Sequence, residues 1–241
     1  MSSYAGTPTT WNPRAVAQTG VMAAWAGLLW FLVISGRTAL YLSSRTSWVV
    51  PMGAIILTVA TIGRLASARS QRPAPLSGRE ALALGAIVIP VVAILVLPQA
   101  SLSSFAASRR SSFAGAGFVA SAEDIAAGEL SLPDVAGALR TTEGKKALVA
   151  RAGDVVSFVG FVTRDDGTPA DEFTLTRFLI SCCVADALSV EVRVVGAAPG
   201  QFKEDEWVRV TGELYPLGEE VAVDASEVEK VPRPKKPYLN P

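Results

Sequence analysis

Two adjacent cysteines, Cys182 and Cys183, are the only thiols of the chain, and a carboxylate, Asp186, follows three residues later. Thiolates are soft ligands and strong nucleophiles, so this trio admits three chemistries. Two thiolates plus Asp186 would suit Zn or another thiophilic ion, with a partner ligand completing the shell. A vicinal disulfide, or exchange with a partner thiol, would make the pair redox-active; a ring between neighbours is strained and easily reduced. The third reading is plain packing, since free cysteine is among the most buried residue types. Geometry divides these readings. Neighbours on a regular strand point to opposite faces, so both sulfurs reach one side only if a turn begins near Ser181. No cofactor is implied beyond that thiophilic ion.

Much other chemistry is excluded. The chain has no histidine, which removes imidazole bases and Cys/His zinc sites. No nucleophile–base pair and no glycine-rich phosphate loop is present, so an enzyme is not expected. Two cysteines cannot make a disulfide framework.

The elements that would carry the thiols divide the chain in two. Of its 241 residues half are hydrophobic and the formal net charge is zero, but the halves differ. Residues 1–100 hold seven Arg, no Lys and the single acid Glu80; residues 131–241 hold 13 basic and 18 acidic residues. In the first half three apolar runs, about 16–35, 47–63 and 81–97, are long enough to cross a bilayer, which needs roughly 20 apolar residues. Pro90 in the third predicts a kink. No charge falls inside a run, so no intramembrane ion site is nominated. The expected partner of residues 1–98 is therefore the lipid bilayer, in a multi-pass cell-membrane protein. Arg14 and the loop bearing Arg64, Arg69, Arg72 and Arg79 face Arg37, Arg45, Arg109 and Arg110 across the membrane. That bias favours an inside N-terminus and an extracytoplasmic C-terminal half.

Residues 99–130, rich in Ser, Ala and Gly, read as a flexible linker. Residues 131–241 read as a domain. Leu132–Leu139 has helix-start signals in Pro133 and Asp134. Alternating apolar residues then predict strands at Val155–Val162, Phe173–Ser181, Val190–Val195 and Trp207–Leu214, with a short fifth at Val221–Val223. Five strands in so few residues, with Gly212 placed to let a strand bend, predict an all-β, OB-like barrel. Its acidic balance argues against nucleic acid as a partner. Arg177 could pair with Asp186, Asp171 or Glu172, and Trp207 and Phe158 are expected in the core. The proline-rich ending could wrap over the barrel through Tyr238.

The string Arg177-Phe178…Cys182-Cys183-x-x-Asp186-Ala187 resembles the hallmark of the YcgQ-like bacterial membrane proteins. So do Trp207-Val-Arg-Val-Thr-Gly212 and the closing Pro-Tyr238, and Ser35-Gly36 with Tyr41 resembles that family's N-terminal half. The resemblance implies an accessory subunit of a two-component transport complex, working beside a polytopic permease. It marks Arg177, Phe178, Cys182, Cys183, Asp186, Trp207, Gly212 and Tyr238 as motif positions without giving them roles.

Overall fold

The computed structural model describes residues 12–68, 75–97, 101–109 and 122–240, in two compact units. One comprises the N-terminal helices. The other comprises residues 100–241 together with Ala39–Thr46, the segment that joins the first two helices. Arg69, Arg72 and Arg110, counted above for orientation, lie outside the described residues.

In the first unit three helices, α1 (Pro13–Ile34), α2 (Val49–Ala68) and α3 (Gly78–Val96), are each long and apolar enough to cross a membrane. Their starts follow from local chemistry. Pro13 occupies the first turn, where its missing N–H costs nothing, and the Asn12 side chain accepts from the N–H groups of Arg14 (3.1 Å) and Ala15 (3.4 Å). Ser77 and Glu80 form a capping box on α3. Pro90 lies inside α3, which is assigned as one helix through it. Large apolar side chains such as Ile56, Val59, Ile62, Leu82 and Ile89 are exposed, as expected of surfaces that face acyl chains rather than water. The few polar groups inside are matched. Trp30 Nε1 donates to Thr58 Oγ1 (3.1 Å), and Thr58 donates to the Ala54 carbonyl (2.7 Å). Arg14 pairs with Glu80.

The second unit is a closed five-stranded barrel. Its strands are β1 (Val155–Thr163), β2 (Phe173–Leu179), β3 (Leu188–Val195), β4 (Trp207–Leu217) and β5 (Glu220–Lys230). Their order is β1-β2-β3-β5-β4, antiparallel except for β3 with β5, which is an OB-like barrel. Alternating residues fill the interior: Val156, Phe158 and Val162 from β1, Leu175 and Leu179 from β2, Val190 and Val192 from β3. The barrel bends at Gly212. The register between β4 and β5 shifts at Thr211/Gly212, and a Cβ there would sit 2.1 Å from the Asp224 carbonyl oxygen.

The fifth strand is 11 residues long, not the short Val221–Val223 of the sequence reading. Only its first half is fully buried; from Asp224 the residues are mostly exposed, with Ala225 and Val228 partly buried against the core, and β4 holds them by backbone pairing. Such pairing leaves no apolar alternation to read.

The interval read as a flexible linker carries two short helices, α4 (Ser104–Ala107) and α5 (Ala122–Ala127). Residues 99–100 and 110–121 of this interval lie outside the described residues. Ile125 is fully buried in the barrel core, and Arg151 fixes this approach by donating to the Ile125 carbonyl (2.7 Å) and the Gly128 carbonyl (2.6 Å). Two further helices cover the barrel. α6 (Leu132–Ala138) starts at a Ser131–Asp134 capping box, and α7 (Thr142–Val149), which has little apolar content, follows an Thr141 cap. A second cluster, Phe161, Phe178, Ile180, Ala187, Trp207 and Tyr238, packs separately from the main core.

Candidate dithiol site

β2 ends at Leu179, two residues before the sequence reading placed its end, and the chain turns through Ser181 and Cys182 into a one-turn 3-10 helix, Val184–Asp186. That turn is what an adjacent thiol pair needs. Cys182 is exposed and Cys183 half-buried; both are free thiols, and neither belongs to a hydrophobic cluster. The Cys182 thiol is pushed above its ordinary pKa, first by local desolvation, then by charge and hydrogen bonding from Cys183, and last by the Asp186 charge. It is therefore a protonated thiol near neutral pH.

The Asp186 carboxylate, the third candidate ligand of the sequence, is engaged by the backbone of its own loop. Its Oδ1 accepts from Ser181 N–H (3.1 Å), and its Oδ2 from Cys182 N–H (2.7 Å) and Cys183 N–H (3.4 Å). Three backbone donors converge on one carboxylate, so its lone pairs serve the loop's shape. Among the described residues no group of three or more His, Cys, Asp or Glu side chains could hold a metal ion. A resident Zn, which wants four ligands, does not fit residues that offer two thiols and no imidazole.

The loop's other polar groups are matched too. The Ser181 carbonyl accepts from Ser43 Oγ (2.8 Å), and the Cys182 carbonyl from Ser43 N–H (3.1 Å) and Thr46 Oγ1 (2.6 Å). Val184 N–H donates to the Tyr41 carbonyl (2.9 Å), and Leu42 bridges Cys183. Ser43, Thr46 and Tyr41 were not singled out from the sequence, except that Tyr41 formed part of the resemblance. A short polar run between two apolar helices carries no signal of a partner some 138 positions away.

The remaining motif residues form the base of this loop. Arg177 donates through Nε to the Pro237 carbonyl (3.1 Å), through one terminal nitrogen to the Lys236 carbonyl (3.1 Å) and through the other to the Val159 carbonyl (3.3 Å). Its guanidinium lies 5.7 Å from the centre of the Trp207 ring. It makes no ion pair with Asp186, Asp171 or Glu172; Glu172 pairs instead with Arg193. Burial lowers the Arg177 pKa from its ordinary value, as desolvation of a cation must. The clamped tail then pairs with the end of β2: Leu239 N–H donates to the Phe178 carbonyl (2.8 Å) and Ile180 N–H to the Leu239 carbonyl (3.0 Å). Phe178, Trp207 and Tyr238 pack together, with 5.7 Å from Phe161 to each of the Phe178 and Trp207 rings. The Tyr238 hydroxyl accepts from Leu102 N–H (3.1 Å), and Asn240 Oδ1 from Ser44 N–H (3.1 Å).

Residues 146–241 match the family model of the DUF1980 C-terminal domain. The match begins inside α7 and takes in the barrel, the dithiol loop and the tail; it covers less than half of the chain. No curated protein and no solved structure matches. Within the matched segment, Arg177 and Asp186 are the groups that build the loop, and Cys182 and Cys183 are the groups that it carries.

Proposed function

We propose that this chain is a YcgQ-like accessory subunit of a membrane permease complex, and that it captures a thiophilic ion through Cys182 and Cys183 and hands it on. The observation that carries the reading is the display itself. Two free thiols sit side by side, outside both hydrophobic clusters, on a loop whose neighbouring backbone groups are matched. Packing would have hidden them. A storage or structural metal would have brought further ligands.

Two thiolates with no third ligand favour cargo that accepts low coordination: a soft monovalent cation, or a trivalent metalloid that already carries another group. Capture displaces the thiol protons, because the thiolate is the ligand, so affinity rises with pH. A two-ligand site also lets go readily, which suits transfer to a permease better than storage. The chain itself is assigned no reaction. The charge bias of the loops supports an extracytoplasmic barrel.

The test uses the full chain, reduced, in detergent, with silver(I) as the probe. One silver ion per chain is expected in native mass spectra, with Cys182 and Cys183 both protected from N-ethylmaleimide. Cys182→Ser should remove both the ion and the protection. Alkylation at the same rate with and without silver would sink the reading. On intact cells, a membrane-impermeant maleimide should label Cys182; labelling only after lysis would reverse the topology.

A further inference from the structure

Charge is unevenly spread over the second unit. Residues 131–230 hold 10 basic and 18 acidic side chains, whereas residues 231–240 hold Arg233, Lys235 and Lys236 and no acid. The segment Ala39–Thr46 holds Arg45 and no acid. These two basic segments meet, because Asn240 Oδ1 accepts from the N–H of Ser44, the neighbour of Arg45 (3.1 Å). All four cations are exposed, and among the described residues none pairs with a carboxylate. Arg233 donates to the Ser101 hydroxyl (3.4 Å). Cations elsewhere on the barrel behave differently: Lys145, Arg151, Arg193, Arg209 and Lys230 each pair with an acid.

The exposed tail cations do not hang on a loose end. Pro232, Pro234 and Pro237 fix φ along the tail, and Arg177 holds the Lys236 and Pro237 carbonyls (3.1 Å each). Leu239 pairs in turn with Phe178 and Ile180. A backbone so fixed loses little entropy when its cations meet an extended array of negative charge. The other segment says which array that is. Arg45 lies four positions before Val49, where α2, long and apolar enough to cross a membrane, begins. Trp48, between them, is 58% exposed, and tryptophan at the end of a spanning helix sits at headgroup level. Basic residues beside a spanning helix are the pattern that recognises anionic lipid.

We propose that Arg45, Arg233, Lys235 and Lys236 form one docking face for anionic lipid headgroups, and that this face holds the dithiol loop at the bilayer surface. The loop is tied to both basic segments. Ser43 and Thr46 donate to the Cys182 carbonyl, and Ile180, two residues before Cys182, donates through its N–H to the Leu239 carbonyl. The acid-rich remainder of the barrel is repelled by the same surface, so the asymmetry of charge also orients the domain. The docking face needs nothing from the chemistry of the cysteines and is tested apart from capture. To capture it adds a place, beside a surface whose negative potential concentrates cations.

The experiment compares the full reduced chain in nanodiscs of phosphatidylcholine with the same chain in nanodiscs holding about one third phosphatidylglycerol. Amines are acetylated briefly, and each lysine is read by mass spectrometry. Lys235 and Lys236 should react roughly fivefold more slowly on the anionic discs, the population ratio of one basic contact with such a surface. Salt at about 0.5 M should remove the difference. Lys145, paired with Glu219 at the opposite end of β5 from the tail, is the control and should not change. Arg45→Gln should weaken the protection of Lys235 and Lys236, although it lies on the other segment. Equal rates on the two kinds of disc, protection already present on phosphatidylcholine, or protection that survives salt would overturn the lipid face and leave capture standing. Protection unmoved by Arg45→Gln would overturn the union of the two segments in one face.

Discussion

Arg177→Met tests whether the Arg-Phe…Cys-Cys string is built to hold the tail. The guanidinium makes two charge-assisted bonds to tail carbonyls, of Lys236 and Pro237, and a third to Val159. Bonds from a charged donor contribute about 1.5–3 kcal/mol each. Removing the cation also removes its desolvation cost, which offsets part of that sum. The freed Lys236 carbonyl is exposed and regains water, whereas Pro237 is buried and its carbonyl is left without that compensation. A net loss of about 3 kcal/mol for docking the tail is the balance of these effects. That is about two decades in the closed-to-open ratio, at 1.36 kcal/mol per decade. Two amides report docking directly: Leu239, bonded to the Phe178 carbonyl, and Ile180, bonded to the Leu239 carbonyl. Both should exchange about a hundredfold faster in Arg177→Met, while the Val156 and Val210 amides change little. Arg177→Lys should fall between, because an ammonium group keeps the charge without the planar fork. Unchanged exchange at Leu239 and Ile180 would refute the clamp.

Other consequences can be measured on the same preparation. Gly212→Ala should cost about 3 kcal/mol or more in denaturant unfolding of the barrel, since its Cβ would overlap the Asp224 carbonyl and no side chain can yield; Gly218→Ala, with φ at 74° but open space around it, should cost only about 1 kcal/mol. Ser189 is buried and its hydroxyl has no hydrogen-bonding partner among the described residues, so Ser189→Ala should leave the melting temperature unchanged or raise it. Alkylation of Cys182 should have its pH midpoint above that of a free cysteine, because the raised pKa keeps it protonated to higher pH; Cys183→Ser should move the midpoint down, and an unmoved midpoint would deny the coupling of the two thiols.

The fold was largely legible because burial imposes period. Three unbroken apolar runs became α1, α2 and α3, and Val156-x-Phe158 or Val208-x-Val210 alternate because every second side chain enters the barrel. Where burial fails, so does the signal: the second half of β5 is mostly exposed, and α7 carries two lysines and a glutamate. The site was half legible. Adjacent cysteines and a nearby Asp point to soft-ligand chemistry from residue type alone. That Asp186 would turn inward onto three N–H groups depends on the turn, and the turn depends on residues 41–46 and 236–240, which no local window connects. Arg177 was misread for the same reason. A cation suggests carboxylates in a sequence, whereas here its partners are carbonyls, which every residue has.

The contact between the Tyr41–Thr46 segment and the dithiol loop also constrains the course of the chain. A segment that hydrogen-bonds to the Ser181 and Cys182 carbonyls must share a compartment with the barrel. The chain that leaves at Thr46 and returns by Leu102 must then cross a bilayer an even number of times. Within it lie two helices of sufficient length and hydropathy, α2 and α3. If both span, the count is met; if α3 alone lay along the membrane surface, the barrel and the segment would be on opposite sides and the bonds could not form. The arginine bias bears only on which compartment that is. In the Ser44→Cys variant, the thiol at position 44 should therefore be labelled by an impermeant reagent from the same side as Cys182. Labelling of the two from opposite sides would refute the contact between this segment and the dithiol loop.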